Sequence, residues 1–351
     1  MARSSLALKR PPVPVPSAPA GDFIGNGVDR ERRRGRGAQS NASGRYEPHA
    51  RIAFDDGWKS IEDLPPFVTT VTEEKARKII TRNESPDISF DRSINPYRGC
   101  EHGCVYCFAR PTHAYMGLSP ALDFESKLFV KPDAPELLER ELSAPGYEPR
   151  VIAIGTNTDP YQPIERKYQV MRRILEVLDK AGHPVGIVTK SALVLRDLDI
   201  LARMAERKLA KVALSVTTLD PDLARKMEPR AATPMRRLET LRRLTLAGVK
   251  EAGYVLLRLP LEVRDLFREW LMANYPDRYR HVMKLVRDTR GGKDYDSAWG
   301  KRMTGGGPYA WMLGRRFELA CEKLGLNTAK SPLSTAHFRA PKAGSEQLSL
   351  F

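Results

Sequence analysis

Arg98-Gly-Cys-Glu-His-Gly-Cys-Val-Tyr-Cys-Phe108 sets Cys100, Cys104 and Cys107 in a C-x3-C-x2-C pattern. Thiolates this close in sequence suit one metal centre. As soft donors they select iron–sulfur clusters or zinc. Three of them leave a four-iron cluster one ligand short, and an uncovered iron is a place for chemistry. Gly99 and Gly103 let the backbone wrap closely around such a centre.

Upstream of this loop, Ile88 to Ile94 reads as a short strand, separated from the cysteines by a turn at Asn95-Pro96-Tyr97. Downstream, Lys127 to Val130 is a weak strand. Ala134 to Leu142 is a helix, with Asp133 as its N-cap and Pro135 in the first turn. A rhythm then begins. Arg150 to Ile154, Val185 to Val188, Val212 to Val216 and Tyr254 to Leu259 are apolar strands. Between them run helices: one with Val170, Ile174, Leu175 and Leu178 on one face, one over 195–207 and one over 234–246. Alternating strands and amphipathic helices imply an α/β fold with a parallel sheet wrapped by helices. Functional residues of such folds collect at the carboxyl ends of the strands. Asn157, Thr158, Asp159, Lys190, Ser191, Ser215 and Thr217 stand there. Each alone reads equally as loop or cap chemistry; their recurrence at three successive strand ends points to a shared site.

The 351 residues carry a net charge of +15, which favours a polyanionic partner such as nucleic acid, or a phosphorylated substrate. Four cysteines, three of them in one motif and only Cys321 elsewhere, are no disulfide framework and fit a reducing cytoplasm. No stretch is long and apolar enough to span a bilayer, and no signal-peptide core opens the chain. Residues 1–45 read as a disordered tail, Pro-rich over Pro11 to Pro16 and basic over Arg30 to Arg36. Residues 46–262 form the main domain, entered through an apolar, proline-containing stretch from Trp58 to Val71. Residues 263–327 form a helical extension in which Trp270, Tyr275, Tyr279 and Trp299 alternate with Arg and Lys. That interleaving suits base stacking, or ordinary helix packing. Residues 328–351 read as a flexible tail.

The cysteine pattern, with an aromatic just before its last cysteine and repeated β-α units after it, resembles the radical S-adenosylmethionine (SAM) superfamily. Within it the chain resembles the branch related to spore photoproduct lyase, a DNA repair enzyme. The supporting strings are Arg34-Gly-Arg-Gly-Ala38, Asn95 to Cys107, Gly155 to Pro163, Thr189-Lys-Ser191, Glu228-Pro-Arg230 and Gly253 to Leu261. The resemblance implies a partial (β/α) barrel. It implies a [4Fe-4S] cluster on Cys100, Cys104 and Cys107, with SAM on its open iron, and a reductant that starts radical chemistry. Tyr106 would lie by the adenine, Thr158 and Asp159 near the methionine end of SAM, and Lys190 and Ser215 at its carboxylate or ribose. Arg230 is a further carboxylate partner, or else a structural ion pair.

Two departures accompany the resemblance. Thr156 occupies the place of the lyase cysteine that donates hydrogen, and Phe108 that of a tyrosine used in radical return. Only Val249 to Ala252 separate the third helix from Gly253, where relatives have a whole strand-plus-helix unit. The expected barrel therefore lacks one βα unit and has five core strands. Finally, Gln347-Leu348-Ser349-Leu350-Phe351 resembles the pentapeptide by which bacterial replication and repair proteins bind the sliding clamp. Gln347 would hydrogen-bond at one pocket, and Leu350 with Phe351 would fill an apolar one. Two further readings stand beside a radical enzyme on nucleic acid: a radical enzyme on a protein or metabolite, and a zinc-binding nucleic-acid module using the cysteines with His102 or His113.

Overall fold

The computed structural model describes residues 27–49, 64–245, 249–329 and 331–341. Trp58, the proline run and the terminal pentapeptide lie outside them. Strands β1 (Thr70–Glu73), β2 (Ile80–Arg82), β3 (Arg92–Ile94) and β4 (Tyr97–Arg98) lead to the cysteine loop. The short helix α1 (Leu122–Ser126), strand β5 (Lys127–Val130) and helix α2 (Ala134–Leu142) follow. Next come β6 (Ile152–Ile154), α3 (Glu165–Tyr168), α4 (Val170–Ala181), β7 (Val185–Thr189), α5 (Leu198–Glu206), β8 (Ala210–Leu214), α6 (Pro221–Met227) and α7 (Pro234–Leu244). Helices α8 (Val263–Asn274), α9 (Tyr279–Asp288) and α10 (Gly307–Lys323) make the C-terminal extension.

Two sheets result. One is five-stranded, in the order β2-β3-β6-β7-β8; β3, β6, β7 and β8 are parallel and β2 is antiparallel at the edge. The other is three-stranded, β1-β5-β4. Ile152 and Ile154 are fully buried, and Val170, Met171, Ile174, Leu175 and Leu178 make one fully buried face of α4 against them. Each such side chain contributes about 1.5–3 kcal/mol by leaving water. The α/β character and the β-α rhythm from 150 to 244 are those expected from the sequence.

Three expectations are corrected. Tyr254 to Leu259 is no strand among the described residues. Leu259 instead packs with Val263, Phe267 and Trp270, and Arg290 takes the Leu257 carbonyl at 2.8 Å, so this apolar run serves the helical extension. No strand therefore pairs with the free edge of β8 among the described residues, and the sheet does not close into a barrel there. Residues 27–45 are not disordered. Arg36, Ala38 and Ser40 are buried, and the Val28 amide bonds the Gln39 carbonyl at 2.9 Å. Nor is all of 328–351 free: Phe338 packs beside Tyr147 and His183, and the amides of Ser334 and Arg339 bond the carbonyls of Lys208 and Ala181. Details differ as well. Asp133 makes no side-chain cap bond, the 195–207 helix begins as a 3-10 turn at Ala192–Asp197, and the last sheet strand starts at Ala210 rather than Val212.

Candidate functional site

The cysteine loop leaves β4 and is gathered by one buried guanidinium. Arg110 donates to the carbonyls of Gly103 (3.2 Å), Cys104 (2.9 Å), Pro120 (3.0 Å) and Ala121 (2.9 Å), and pairs with Glu125 at 2.5 Å. Burying this pair is tolerable because nearly every proton and lone pair is used. The Cys100 amide bonds Phe124 O at 2.9 Å, fixing the loop to α1. Gly103 sits at φ +66°, where L side chains are disfavoured, and a Cβ there would stand 2.9 Å from Glu125 Oε2.

Residues 34–40 form a strap across this loop. The amides of Gly37 and Ala38 donate to the two carboxylate oxygens of Glu125 at 2.8 and 2.9 Å. Arg36 donates to Glu125 O, Phe67 O and Thr69 Oγ1. A Cβ on Gly37 would meet Gly103 O at 2.0 Å, so backbone lies directly on backbone. Arg-Gly composition signals a solvated tail; only the fold reveals this buttress.

The 155–163 segment supports the loop from the sheet. Thr158 Oγ1 and Gln162 Nε2 donate to Gly99 O at 2.7 and 3.1 Å, and Gln162 Oε1 accepts from the Glu101 amide at 2.9 Å. Half-buried Asp159 accepts from Thr189 Oγ1, the Lys190 amide and the Tyr161 amide, and lies 3.3 Å from His102 Nδ1. Thr158 and Asp159 thus spend their side chains on the loop and on β7. Burial alone would raise the Asp159 pKa; His102 and the hydrogen bonds overcome it and hold it at about 2. Burial likewise opposes protonation of His102, but Asp159 and Cys100 push it up to about 10.

Tyr106, Lys190 and Ser215 come together. Lys190 Nζ lies 5.7 Å from the Tyr106 ring centroid and donates to Ser215 Oγ at 3.1 Å. The Tyr106 hydroxyl donates to Glu228 Oε1, and Thr217 Oγ1 is 2.6 Å from the same oxygen and 2.8 Å from the hydroxyl. Buried Arg237 pairs with Glu228 Oε2 and donates to Ser215 O at 2.9 Å. Arg230 pairs with Glu101 at 2.6 Å, the structural alternative foreseen for it. Sequence reasoning assigns no role to Glu228, Arg237, Glu125 or Arg110. Thr156 faces Asn95 at 3.2 Å, and Phe108 lies under the Arg258 guanidinium at 5.0 Å.

Cys100 and Cys104 are buried and Cys107 is half-buried. Burial pushes the Cys104 thiol well up, and the other two cysteines add to the rise; burial and Cys100 also raise Cys107. Thiolates in so costly a place need positive charge, which an iron centre supplies. Among the described residues no three His, Cys, Asp or Glu side chains are grouped as ligands of a single metal ion. A cluster asks for another spacing, because each thiolate binds its own iron. Three soft donors on a braced loop fit that demand.

Residues 94–269 match the radical SAM superfamily, half of the chain. The chain belongs to the radical SAM superfamily. An uncharacterised protein of Mycobacterium tuberculosis is 40% identical over 162 residues, 46% of this chain and 48% of that protein. One of Methanocaldococcus jannaschii is 26% identical over 233 residues, 59% of this chain and 85% of its own length. The chain thus spans about half the length of the mycobacterial relative it matches. A spore photoproduct lyase structure aligns at 17% identity and TM-score 0.43, over 73% of this chain and 80% of that one, a likeness too distant to transfer any residue's role. No helix among the described residues is long and apolar enough to cross a membrane.

Proposed function

We propose that this chain is a radical SAM enzyme in which Cys100, Cys104 and Cys107 hold a [4Fe-4S] cluster and Tyr106, Lys190 and Ser215 receive SAM beside it. When bound and reduced, the pair supplies a 5′-deoxyadenosyl radical for hydrogen abstraction. The observation that carries this reading is the meeting of Tyr106, Lys190 and Ser215 next to the cysteine loop. Tyr106 offers a flat face to a purine, Lys190 a cation to a carboxylate, and Ser215 a hydroxyl to either end of the cofactor. Thr158 and Asp159 act from behind by holding the loop, and Arg230 by holding Glu101.

The substrate class we favour is DNA or another nucleic acid, in a cytoplasmic repair role. The net charge of +15 supports this, as does the resemblance to the lyase branch. Thr156 separates the chemistry from that of the lyase, since a hydroxyl is a poor hydrogen-atom donor. We read the element-free connection 249–262 as the place where a βα unit is absent, which leaves SAM held by fewer strand ends. We assign Gln347 to Phe351 to a sliding clamp; deleting them should abolish clamp capture in a pull-down.

Anaerobic purification followed by dithionite and SAM tests the enzyme. Brown protein absorbing near roughly 400 nm, as cysteine-bound iron–sulfur centres do, with release of 5′-deoxyadenosine, is expected. Colourless protein carrying stoichiometric zinc would sink the proposal.

A further inference from the structure

We propose that Glu228 is a positioning residue for the cofactor site: its carboxylate holds the Tyr106 hydroxyl and so sets where that ring stands beside Lys190 and Ser215. The inference rests on the reading of Tyr106, Lys190 and Ser215 as the SAM site.

Glu228 follows α6 directly and is almost wholly buried. One oxygen takes both the Tyr106 and Thr217 hydroxyls, and the other faces Arg237. Arg237 is itself buried and fixed by two carbonyls, Ala232 O at 2.8 Å and Ser215 O at 2.9 Å. The carboxylate is therefore held from behind, and its front edge reaches across 122 residues of sequence to the cysteine loop. The backbone repeats the link on both sides: the Val105 amide bonds Met227 O at 3.0 Å, and the Arg230 amide bonds His102 O at 3.3 Å. One buried side chain thus joins the loop that carries the cysteines to the end of β8, where Ser215 meets Lys190. A buried carboxylate that only neutralised Arg237 would leave its second oxygen free of Tyr106. Here that oxygen points at the ring flanked by two cluster cysteines.

Four anaerobically reconstituted proteins test this: wild type, Y106F, E228Q and Y106F/E228Q. SAM affinity is measured by equilibrium dialysis. Order at the ring is read separately in metal-free protein, from the 19F NMR signal of 3-fluorotyrosine at position 106. We expect E228Q to shift and broaden that signal. We expect E228Q and Y106F each to weaken SAM binding about tenfold, the scale of one hydrogen bond to a charged group, and the double variant to lose no more than either single one. Losses that multiply in the double variant would overturn the proposal, as would wild-type affinity in E228Q. If E228Q fails to fold because Arg237 loses its partner, E228Q/R237Q replaces it with the same expectation. Wild-type protein that binds no SAM overturns the cofactor reading along with this one. Wild-type protein that binds SAM, with E228Q indistinguishable from it, overturns this one alone.

Discussion

The carboxylate of Asp159 faces the imidazole of His102 at 3.3 Å, and its oxygens also hold Thr189 and the amide of Lys190. One side chain thereby ties the cysteine loop to the end of β7. Asp159→Asn removes the charge and leaves His102 buried beside an amide. We expect a loss of about 3 kcal/mol, as for a broken buried pair, read from urea midpoints. Iron retained after reconstitution should fall with it.

Ser substitutions separate the cysteines by role. C100S, C104S and C107S should each take up less than half the wild-type iron and lose the cluster absorbance. C321S should retain both, because Cys321 is buried in the helical extension, where its sulfur accepts from the Asn327 side-chain amide at 3.6 Å. Iron and sulfide assays decide between these outcomes.

Two buried histidines make stability depend on pH. Burial holds His113 and His183 at about 4, both well below the unfolded value of about 6.5. His183 Nδ1 lies 3.0 Å from Pro184 O and its Nε2 2.8 Å from the Tyr147 hydroxyl, which suits a neutral ring. A depressed base is neutral when folded, so the unfolded chain binds the extra proton between pH 4 and 6.5. The stabilisation is complete above about pH 6.5 and is lost as pH falls toward 4, by at most about 3 kcal/mol per histidine. Denaturant midpoints at pH 7 and pH 5 should differ less in H183F than in wild type.

Gly37→Ala places a methyl 2.0 Å from Gly103 O. The strap must lift, at a cost of about 1–3 kcal/mol by overpacking. Hydrogen exchange should quicken at the amides of Gly37 and Ala38, which Glu125 now protects. Unchanged protection would show that the strap absorbs the methyl.

Much of the fold is legible in the sequence, for a physical reason. The runs from Ile152 to Leu178 combine a fully buried strand with a one-faced helix, and their periods differ enough to be told apart. Tyr254 to Leu259 misleads because an apolar run announces burial without announcing its partner; here the partner is α8, and Arg290 satisfies the carbonyls that a strand would have paired. Arg36 misleads because a guanidinium about to be buried by Glu125 and Phe67 carbonyls is spelled like a solvated one. The cysteine spacing declares its chemistry locally, and Lys190 and Ser215 are marked by their strand ends. Glu228 belongs to a string that marks the resemblance but is given no role there, since its role comes from Tyr106 and Arg237, which only the fold brings to it.

The strap also has a place in time. Glu125 takes the amides of Gly37 and Ala38 across 88 and 87 residues, far longer separations than those within the β-α units. Contacts of such span charge their loop-closure entropy before returning any energy, so they tend to form late. On the ribosome, at roughly 5–20 residues per second, the strap waits several seconds for its anchor to be made. Cys100 to Cys107 are made only 18 to 25 residues before Glu125 (125 − 107 and 125 − 100), so the loop itself stands without its buttress for no more than the last part of that wait.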